Sequence, residues 1–137
     1  MIAGLDGTLE QINADSAIIK VSGVSFQVFT PASTLGQVGS IGERVRLYTH
    51  LHWKEDSTAL YGFTTLEELD LFKMLIAVSG VGPKSALSIL SALRPDDLAS
   101  AIINSDVDMI TQAPGIGKKT AGRLVLELKG ELEKGWG

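Results

Sequence analysis

The 137-residue sequence contains no cysteine, no long hydrophobic run and no excess of positive charge. Without cysteine the chain has no disulfide bond, no thiolate zinc ligand and no thiol nucleophile, which agrees with a reducing cytoplasm. The N-terminus shows no basic segment, and the longest apolar run, residues 74–78, is far too short to cross a bilayer. We therefore predict neither a secretory signal nor a membrane anchor and expect a cytoplasmic protein.

The charge balance excludes a general polycation. Twelve basic residues stand against sixteen acidic ones, which gives a formal net charge of −4. A DNA contact would therefore have to come from a local basic patch and not from the overall field. With 45% hydrophobic and 20% charged residues, the composition is that of a folded protein with one domain or two small ones.

The first 63 residues carry β signals. Five segments rich in β-branched and aromatic residues predict five strands, over residues 2–12, 16–21, 24–30, 44–54 and 57–63. Ser22-Gly23 and Glu55-Asp56 lie between neighbouring segments as tight hairpins, and residues 31–43 form a longer connection. A small five-stranded barrel of the OB-fold type fits this pattern.

The fourth predicted strand alternates in polarity. Its polar face holds Arg44, Arg46, Tyr48, His50, His52 and Lys54, and its other face holds Val45, Leu47, Thr49, Leu51 and Trp53. This predicts a half-buried strand whose polar side faces solvent, another subunit or DNA. Because the two histidines lack an evident third ligand, we predict no metal site there.

From Thr64 onward the apolar period is helical. The predicted domains are an OB-fold domain over residues 1–63 and an all-α domain over residues 64–137, an α+β multidomain fold class. Thr65 and Glu68 form a capping box for the first helix. Further helices are predicted over residues 83–93, 96–103, 105–112 and 118–134, and the sequence leaves open whether Trp136 beyond them packs on a neighbour.

The helical half repeats itself after 35 residues (115 minus 80). Residues 80–86 read Gly-Val-Gly-Pro-Lys-Ser-Ala and residues 115–121 read Gly-Ile-Gly-Lys-Lys-Thr-Ala, which predicts helix, tight hairpin and helix written twice. The first N–H groups of an α-helix lack intrahelical partners, and glycines let a phosphate approach them. Each turn is therefore a candidate phosphate site that contacts the DNA backbone without reading bases.

Lysines strengthen this hypothesis. Lys84, Lys118 and Lys119 lie in first helical turns, where a cation is disfavoured by about 0.3–1 kcal/mol unless an anion is near. Between Met109 and Leu126 the only charged residues are Lys118, Lys119 and Arg123, a local charge of +3. The alternative is that Gly-x-Gly merely joins two antiparallel helices, and two matched copies weigh against it.

Neither common nucleotide loop fits. A Walker loop would require glycine at Gln112 and serine or threonine at Lys119, and the dinucleotide fingerprint would require glycine at Ser85 or Thr120. We therefore predict no ATP site, no NAD site and no cofactor.

The two hairpins, behind a β-rich segment with an acidic hairpin and the sequence Leu-Tyr-Gly-Phe at residues 60–63, resemble the RuvA family over essentially the whole chain. The resemblance implies a non-catalytic subunit of the bacterial branch-migration complex, which binds Holliday junctions in recombination and repair. It also implies a homotetramer, alone or facing a second one, that grips the minor-groove backbones of an open junction. The phosphate-facing residues would be Gly80, Gly82, Lys84, Gly115, Gly117, Lys118, Lys119 and Arg123.

Further partners follow from the same resemblance: a RuvB-type hexameric motor and a RuvC-type junction resolvase. Glu55-Asp56, by itself only a solvated turn, would be an acidic pin that repels DNA near the tetramer centre. Family members continue into a third, motor-contacting domain, whereas this sequence stops at Gly137. We expect junction binding and tetramerisation from what is present and leave motor stimulation in doubt.

The sequence lacks the catalytic residues that two alternative enzyme functions would require. A helix-hairpin-helix glycosylase needs an aspartate shortly after Ala121, where the only acids are glutamates. A nuclease needs clustered metal-binding carboxylates, whereas the paired aspartates at 96–97 and at 106 and 108 lie at predicted helix starts, where capping and favourable interaction with the helix dipole explain them. A third hypothesis, a duplex-binding adaptor without junction preference, is not excluded. Only Glu55-Asp56 and oligomeric symmetry distinguish it from a junction-binding protein.

Overall fold

The computed structural model describes residues 1–135, so Trp136 lies outside the described residues. The chain divides into two compact units, Met1–Leu69 and Asp70–Gly137. The domain limits 1–63 and 64–137 stay a prediction about which residues fold independently.

Five strands close into a barrel in the first unit. They are β1 (Gly4–Ile12), β2 (Ser16–Val21), β3 (Val24–Phe29), β4 (Arg44–Trp53) and β5 (Thr58–Phe63). The order around the barrel is β1-β2-β3-β5-β4, and only the β3–β5 pair is parallel. Closure in this order gives the five-stranded barrel of the OB-fold, which confirms the predicted fold class.

The barrel core follows from strand alternation. The inward side chains are apolar and buried, and they include Leu5, Leu9, Ala17, Ile19, Val28, Val45, Leu47 and Leu60. The turn from β2 to β3 has Ser22 at φ 50° and Gly23 at φ 86°. Two consecutive left-handed residues are typical of the type I′ hairpin, so the tight hairpin predicted there is confirmed.

Two local features of the barrel differ from the sequence prediction. The connection over residues 31–43 contains a single helical turn, α1 (Ala32–Leu35), which is too short to show a helical period. Trp53 belongs to the inward series of β4, yet it is 69% exposed. The reason is that β1 pairs with β4 no further than Tyr48, so the end of β4 projects beyond the closed barrel.

The helical part comprises α2 (Leu66–Ile76), α3 (Pro83–Ala92), α4 (Pro95–Ile103), α5 (Val107–Ile110) and α6 (Lys118–Gly135). In the second unit α4 packs against α5 and α6. The helix predicted over residues 105–112 is shorter than expected because Ser105 is left-handed, with φ 56°, and Asp106 caps the helix. Among the described residues, no helix has both the length and the apolar character needed to cross a bilayer.

The start of α2 has one of the two hydrogen bonds of the predicted capping box, the bond to the Glu68 backbone N–H, whereas the Glu68 carboxylate accepts from the Thr65 hydroxyl and not from the Thr65 backbone N–H. The Glu68 backbone N–H donates to Thr65 Oγ1 at 3.2 Å, and Thr65 Oγ1 donates to Glu68 Oε1 at 3.4 Å. Burial raises the pKa of the Glu68 carboxyl, and hydrogen bonds from Thr64 and Thr65 oppose that rise. The Thr65 hydroxyl therefore caps the first turn of α2, and the buried Glu68 carboxyl is held by two threonine hydroxyls.

Candidate nucleic-acid interface

The turn between α2 and α3 is a tight hairpin that we call hairpin 1 (residues 77–82). Val78 N–H donates to Leu75 O at 3.1 Å, and Val81 N–H donates to Val78 O at 3.0 Å. Gly80 lies between them with a φ of 88°, a left-handed conformation that residues with a Cβ atom rarely adopt. Because Val78 and Val81 are buried, the core anchors the hairpin while Gly80 and Gly82 remain exposed.

The turn between α5 and α6, hairpin 2 (residues 111–117), repeats this arrangement. Ala113 N–H donates to Ile110 O at 3.2 Å, Ile116 N–H donates to Ala113 O at 3.1 Å, and Gly115 has a φ of 82°. Each residue in these bonds lies 35 positions (115 minus 80) after its counterpart in hairpin 1. The repeat in the sequence is thus also a repeat in the backbone hydrogen bonds, as predicted.

Packing against the described residues does not require glycine at the second glycine position of either hairpin. Gly82 has an ordinary φ of −94°, and a Cβ atom built on Gly82 or Gly117 would meet nothing within 4 Å. A side chain would therefore fit at both positions as far as the fold is concerned. What these glycines provide is open space directly before a helix, where a ligand backbone can come close.

Both helices that follow start without a counter-charge. Ala86 N–H donates to Gly82 O and Ala121 N–H donates to Gly117 O, each at 3.0 Å, which places a glycine at each N-cap. Gly82 supplies no side-chain cap, and neither α3 nor α6 has an acidic residue in its first turn. The positive ends of both helix dipoles therefore point into open space.

Three lysines stand beside these helix starts. Lys84, Lys118 and Lys119 are exposed, and within residues 1–135 none of them forms an ion pair. A lysine in a first helical turn is destabilising unless an anion is present, because it adds positive charge to the positive dipole end. The two hairpins are therefore two candidate anion sites of like construction, one with a single lysine and one with two.

Arg123 differs from the lysines. Its Nε donates to Glu127 Oε2 at 3.1 Å, one helical turn later, and its side chain is half-exposed. The +3 patch predicted from residues 109–126 ends one residue before this partner. Arg123 thus lies on the same helix as the two lysines, with its charge partly offset.

The hairpin between β4 and β5 carries the opposite charge. Trp53 pairs with Thr58, and Lys54 N–H donates to Ser57 O at 2.8 Å, which leaves Glu55 and Asp56 at the tip. Both carboxylates are exposed, and neither is in an ion pair among residues 1–135. Their charge is therefore presented to solvent on a ribbon that projects from the barrel.

Comparisons with known proteins match both parts of the chain. Residues 1–62 match the family model described as the RuvA N terminal domain, and residues 72–130 match the SAM-like helix-hairpin-helix tandem. A protein of Dehalococcoides mccartyi named Holliday junction branch migration complex subunit RuvA is 49% identical over 136 residues, 99% of this chain and 70% of that protein. The chain belongs to the RuvA family. Equally named proteins of Acetivibrio thermocellus and Thermomicrobium roseum are 48% and 50% identical, and the chain covers 66% and 69% of their lengths.

One contact of this RuvA-family chain was missed by sequence reasoning. Ser88 Oγ, on α3, donates to the carbonyl oxygen of Pro114 at 2.7 Å. The bond joins the helix that follows hairpin 1 to the backbone of hairpin 2, so the positions of the two hairpins are linked. No sequence signal indicates this bond. The repeat does not conserve the serine, since the position equivalent to Ser88 is Arg123, and the bond joins residues that are far apart in the sequence.

The other polar clusters that the sequence singled out lie at helix starts and on β4. Asp106 Oδ1 accepts a hydrogen bond from Met109 N–H at 3.2 Å, which confirms capping at α5. Asp96 and Asp97 lie in the first turn of α4, where their charge matches the helix dipole, and the N-cap of α4 is Arg94, which makes no side-chain capping bond. On the outer face of β4, Arg44 pairs with Asp6 and the Arg46 guanidinium lies 5.4 Å from the Tyr48 ring centre. The His50 and His52 rings are 6.1 Å apart, and within residues 1–135 no group of three His, Cys, Asp or Glu side chains is placed to hold a metal ion.

Proposed function

We propose that this chain binds four-way Holliday junctions and holds them open as the non-catalytic, DNA-binding subunit of a branch-migration complex in recombination and repair. The relatives carry that complex in their names. The observation that carries the proposal is the pair of like-built hairpins, each with an open glycine and no acidic residue in the helical turn that follows. One lysine follows hairpin 1 and two follow hairpin 2, and none of them is in an ion pair within residues 1–135.

The phosphate contacts are assigned to the two hairpins. Backbone N–H groups at the starts of α3 and α6 would donate to phosphate oxygens, and the neighbouring lysines would supply charge. The assigned residues are Gly80, Gly82, Lys84, Gly115, Gly117, Lys118, Lys119 and Arg123. These contacts recognise the backbone, so they position a duplex arm and carry no sequence preference.

Structure selectivity is assigned to the acidic hairpin. Glu55 and Asp56 would repel phosphates and so disfavour a continuous duplex across the place where the hairpin lies. At a four-way junction the strands separate at the branch point, which leaves room for such a charge. The acidic hairpin would thus lower affinity for DNA in general and raise the preference for branched DNA over linear duplex.

The assembly is part of the proposal. Four copies would match the four arms of a junction, with one tetramer or two facing tetramers around the DNA, and the functional domains would be residues 1–63 and 64–137. An ATP-driven RuvB-type motor and a RuvC-type resolvase are the proposed protein partners, in the cytoplasm. The chain itself is assigned no catalytic step, metal or cofactor.

One competing function uses the same hairpins. Because both sites contact only the backbone, they would also serve a duplex-binding adaptor without junction preference. A competition gel shift at near-physiological salt separates the two, with a labelled junction challenged by linear duplexes of the same arm sequences. Junction preference supports the proposal, and equal competition by the duplex supports the adaptor.

A further inference from the structure

Trp53 is unusual among the aromatic side chains of the barrel and the helices. Of all Phe, Tyr and Trp residues in the described part of the chain, it alone is exposed, with 69% of its surface open. Single exposed apolar residues are common on proteins. What distinguishes Trp53 is its position, two residues before the acidic tip of a projecting hairpin.

The projection of the hairpin explains the exposure. The inward face of β4 is 8% exposed at Val45, 0% at Leu47 and 2% at Thr49. β1 pairs with β4 only as far as Tyr48, whereas Trp53 pairs with Thr58 further out. Within residues 1–135, Trp53 belongs neither to the barrel core nor to the partly buried residues packed against it, so packing of the barrel does not explain an indole there.

The charge around Trp53 limits what can bind it. Glu55 and Asp56 are exposed and, within residues 1–135, unpaired, and Lys54 offsets only one of their two charges. A net negative tip disfavours phosphates. The flat face of a nucleobase carries no net charge and stacks on aromatic rings, an interaction that is tolerant of sequence because every base has a π-face.

We propose that Trp53 stacks on a nucleobase at the branch point of the junction, where bases lose stacking neighbours, while Glu55 and Asp56 keep phosphates away from the same place. The inference rests on the proposed function and adds to it a contact with base faces. Inside a duplex arm both faces of each base are covered by neighbours, so this contact favours branched DNA over linear DNA.

The test uses intrinsic fluorescence. The chain has two tryptophans, so Trp136→Phe makes Trp53 the only tryptophan, and excitation at a wavelength that tyrosine does not absorb isolates its emission. Trp53 emission is followed during titration with a four-way junction and with linear duplexes of the same arms. Anisotropy of a dye on one arm reports binding independently. We expect quenching by the junction and not by the duplexes, and a junction affinity about fivefold or more lower for Trp53→Ala, with duplex affinity unchanged.

Matched variants separate stacking from apolar contact. Trp53→Phe keeps a flat ring and is expected to retain most of the junction affinity, whereas Trp53→Leu keeps apolar volume and is expected to resemble Trp53→Ala. Leu binding as tightly as Phe would overturn the stacking. So would an emission change that follows protein concentration without DNA, because it would assign Trp53 to a contact between copies of the chain.

The anisotropy data show whether a negative result contradicts only the stacking of Trp53 or also the proposed junction binding. Junction preference with unchanged Trp53 emission would overturn the stacking and leave the proposed function standing. Equal binding of junction and duplex would overturn the proposed function and the stacking together.

Discussion

Hairpin 1 and hairpin 2 share their backbone and differ in their charge. The same hydrogen bonds and the same left-handed glycine recur at both, at Gly80 and at Gly115. Hairpin 1 continues with Pro83-Lys84, and hairpin 2 continues with Lys118-Lys119. If both hairpins bind phosphate as proposed, the repeated geometry predicts the same kind of contact at both, and the lysine count predicts stronger binding at hairpin 2.

A third hairpin completes the comparison. The β4–β5 ribbon presents Glu55 and Asp56 to solvent, whereas the helical hairpins present lysines and open helix starts. In a chain with a net charge of −4, exposed positive and negative charge thus lie on separate hairpins. On the proposed function, variants of the helical hairpins should alter binding strength, and variants of the acidic hairpin should alter structural preference.

The largest effect is expected from charge placed at the open glycines. Gly82→Asp with Gly117→Asp should lower affinity for all DNA by roughly tenfold or more, because a carboxylate would occupy the space assigned to phosphate. Helix stability should be maintained or raised, since aspartate is a favoured N-cap. DNA anisotropy and urea unfolding measure the two quantities.

Gly82→Asn with Gly117→Asn is the matched control. Asparagine has the shape of aspartate and caps helices as well, but it carries no charge. If the Asp and Asn variants bound DNA equally, charge at these two positions would be irrelevant and the sites would not hold phosphate.

The next effect concerns the lysines of hairpin 2. Lys118→Ala with Lys119→Ala should weaken binding to junction and duplex alike and reduce the slope of log affinity against log salt by about 2 for each bound subunit, at roughly 0.9 per phosphate contact. The control Lys20→Ala with Lys134→Ala removes the same charge outside the hairpins. A salt slope equal to that of the unmodified chain would remove Lys118 and Lys119 from the contact surface.

A smaller effect is expected at hairpin 1. Lys84→Ala should reduce the salt slope by about 1 for each bound subunit, because a single phosphate contact is lost. Comparison with the double variant of hairpin 2 tests whether the number of lysines determines how much each hairpin contributes to the salt dependence of binding. An effect as large as that of the double variant would contradict the grading.

The smallest effect is expected at the acidic tip. Glu55→Gln with Asp56→Asn should raise duplex affinity relative to junction affinity by about two- to fivefold, because exposed charges are screened by salt. The competition gel shift measures the ratio, with Glu131→Gln and Glu133→Gln as a control of equal charge on α6. An unchanged ratio would show that the tip does not select structure.

Local geometry decided which features could be predicted from the sequence. The left-handed turns at Ser22-Gly23 and the Thr65–Glu68 cap depend on neighbouring residues and follow from residue type. The Ser88–Pro114 bond depends on how α3 lies against hairpin 2, which no local pattern encodes. The exposure of Trp53 depends on where β1 stops pairing with β4, and alternation within one strand does not report this.

The absence of cysteine permits a direct test of where the three hairpins lie on DNA. A single cysteine at Ser79, Pro114 or Ser57 would be the only thiol and would carry an iron chelate that cleaves nearby DNA. We expect probes at Ser79 and Pro114 to cut within all four arms and the probe at Ser57 to cut at the branch point. Cleavage within the arms from Ser57, or at the branch point from Ser79 and Pro114, would contradict the division of roles between the acidic hairpin and the helical hairpins.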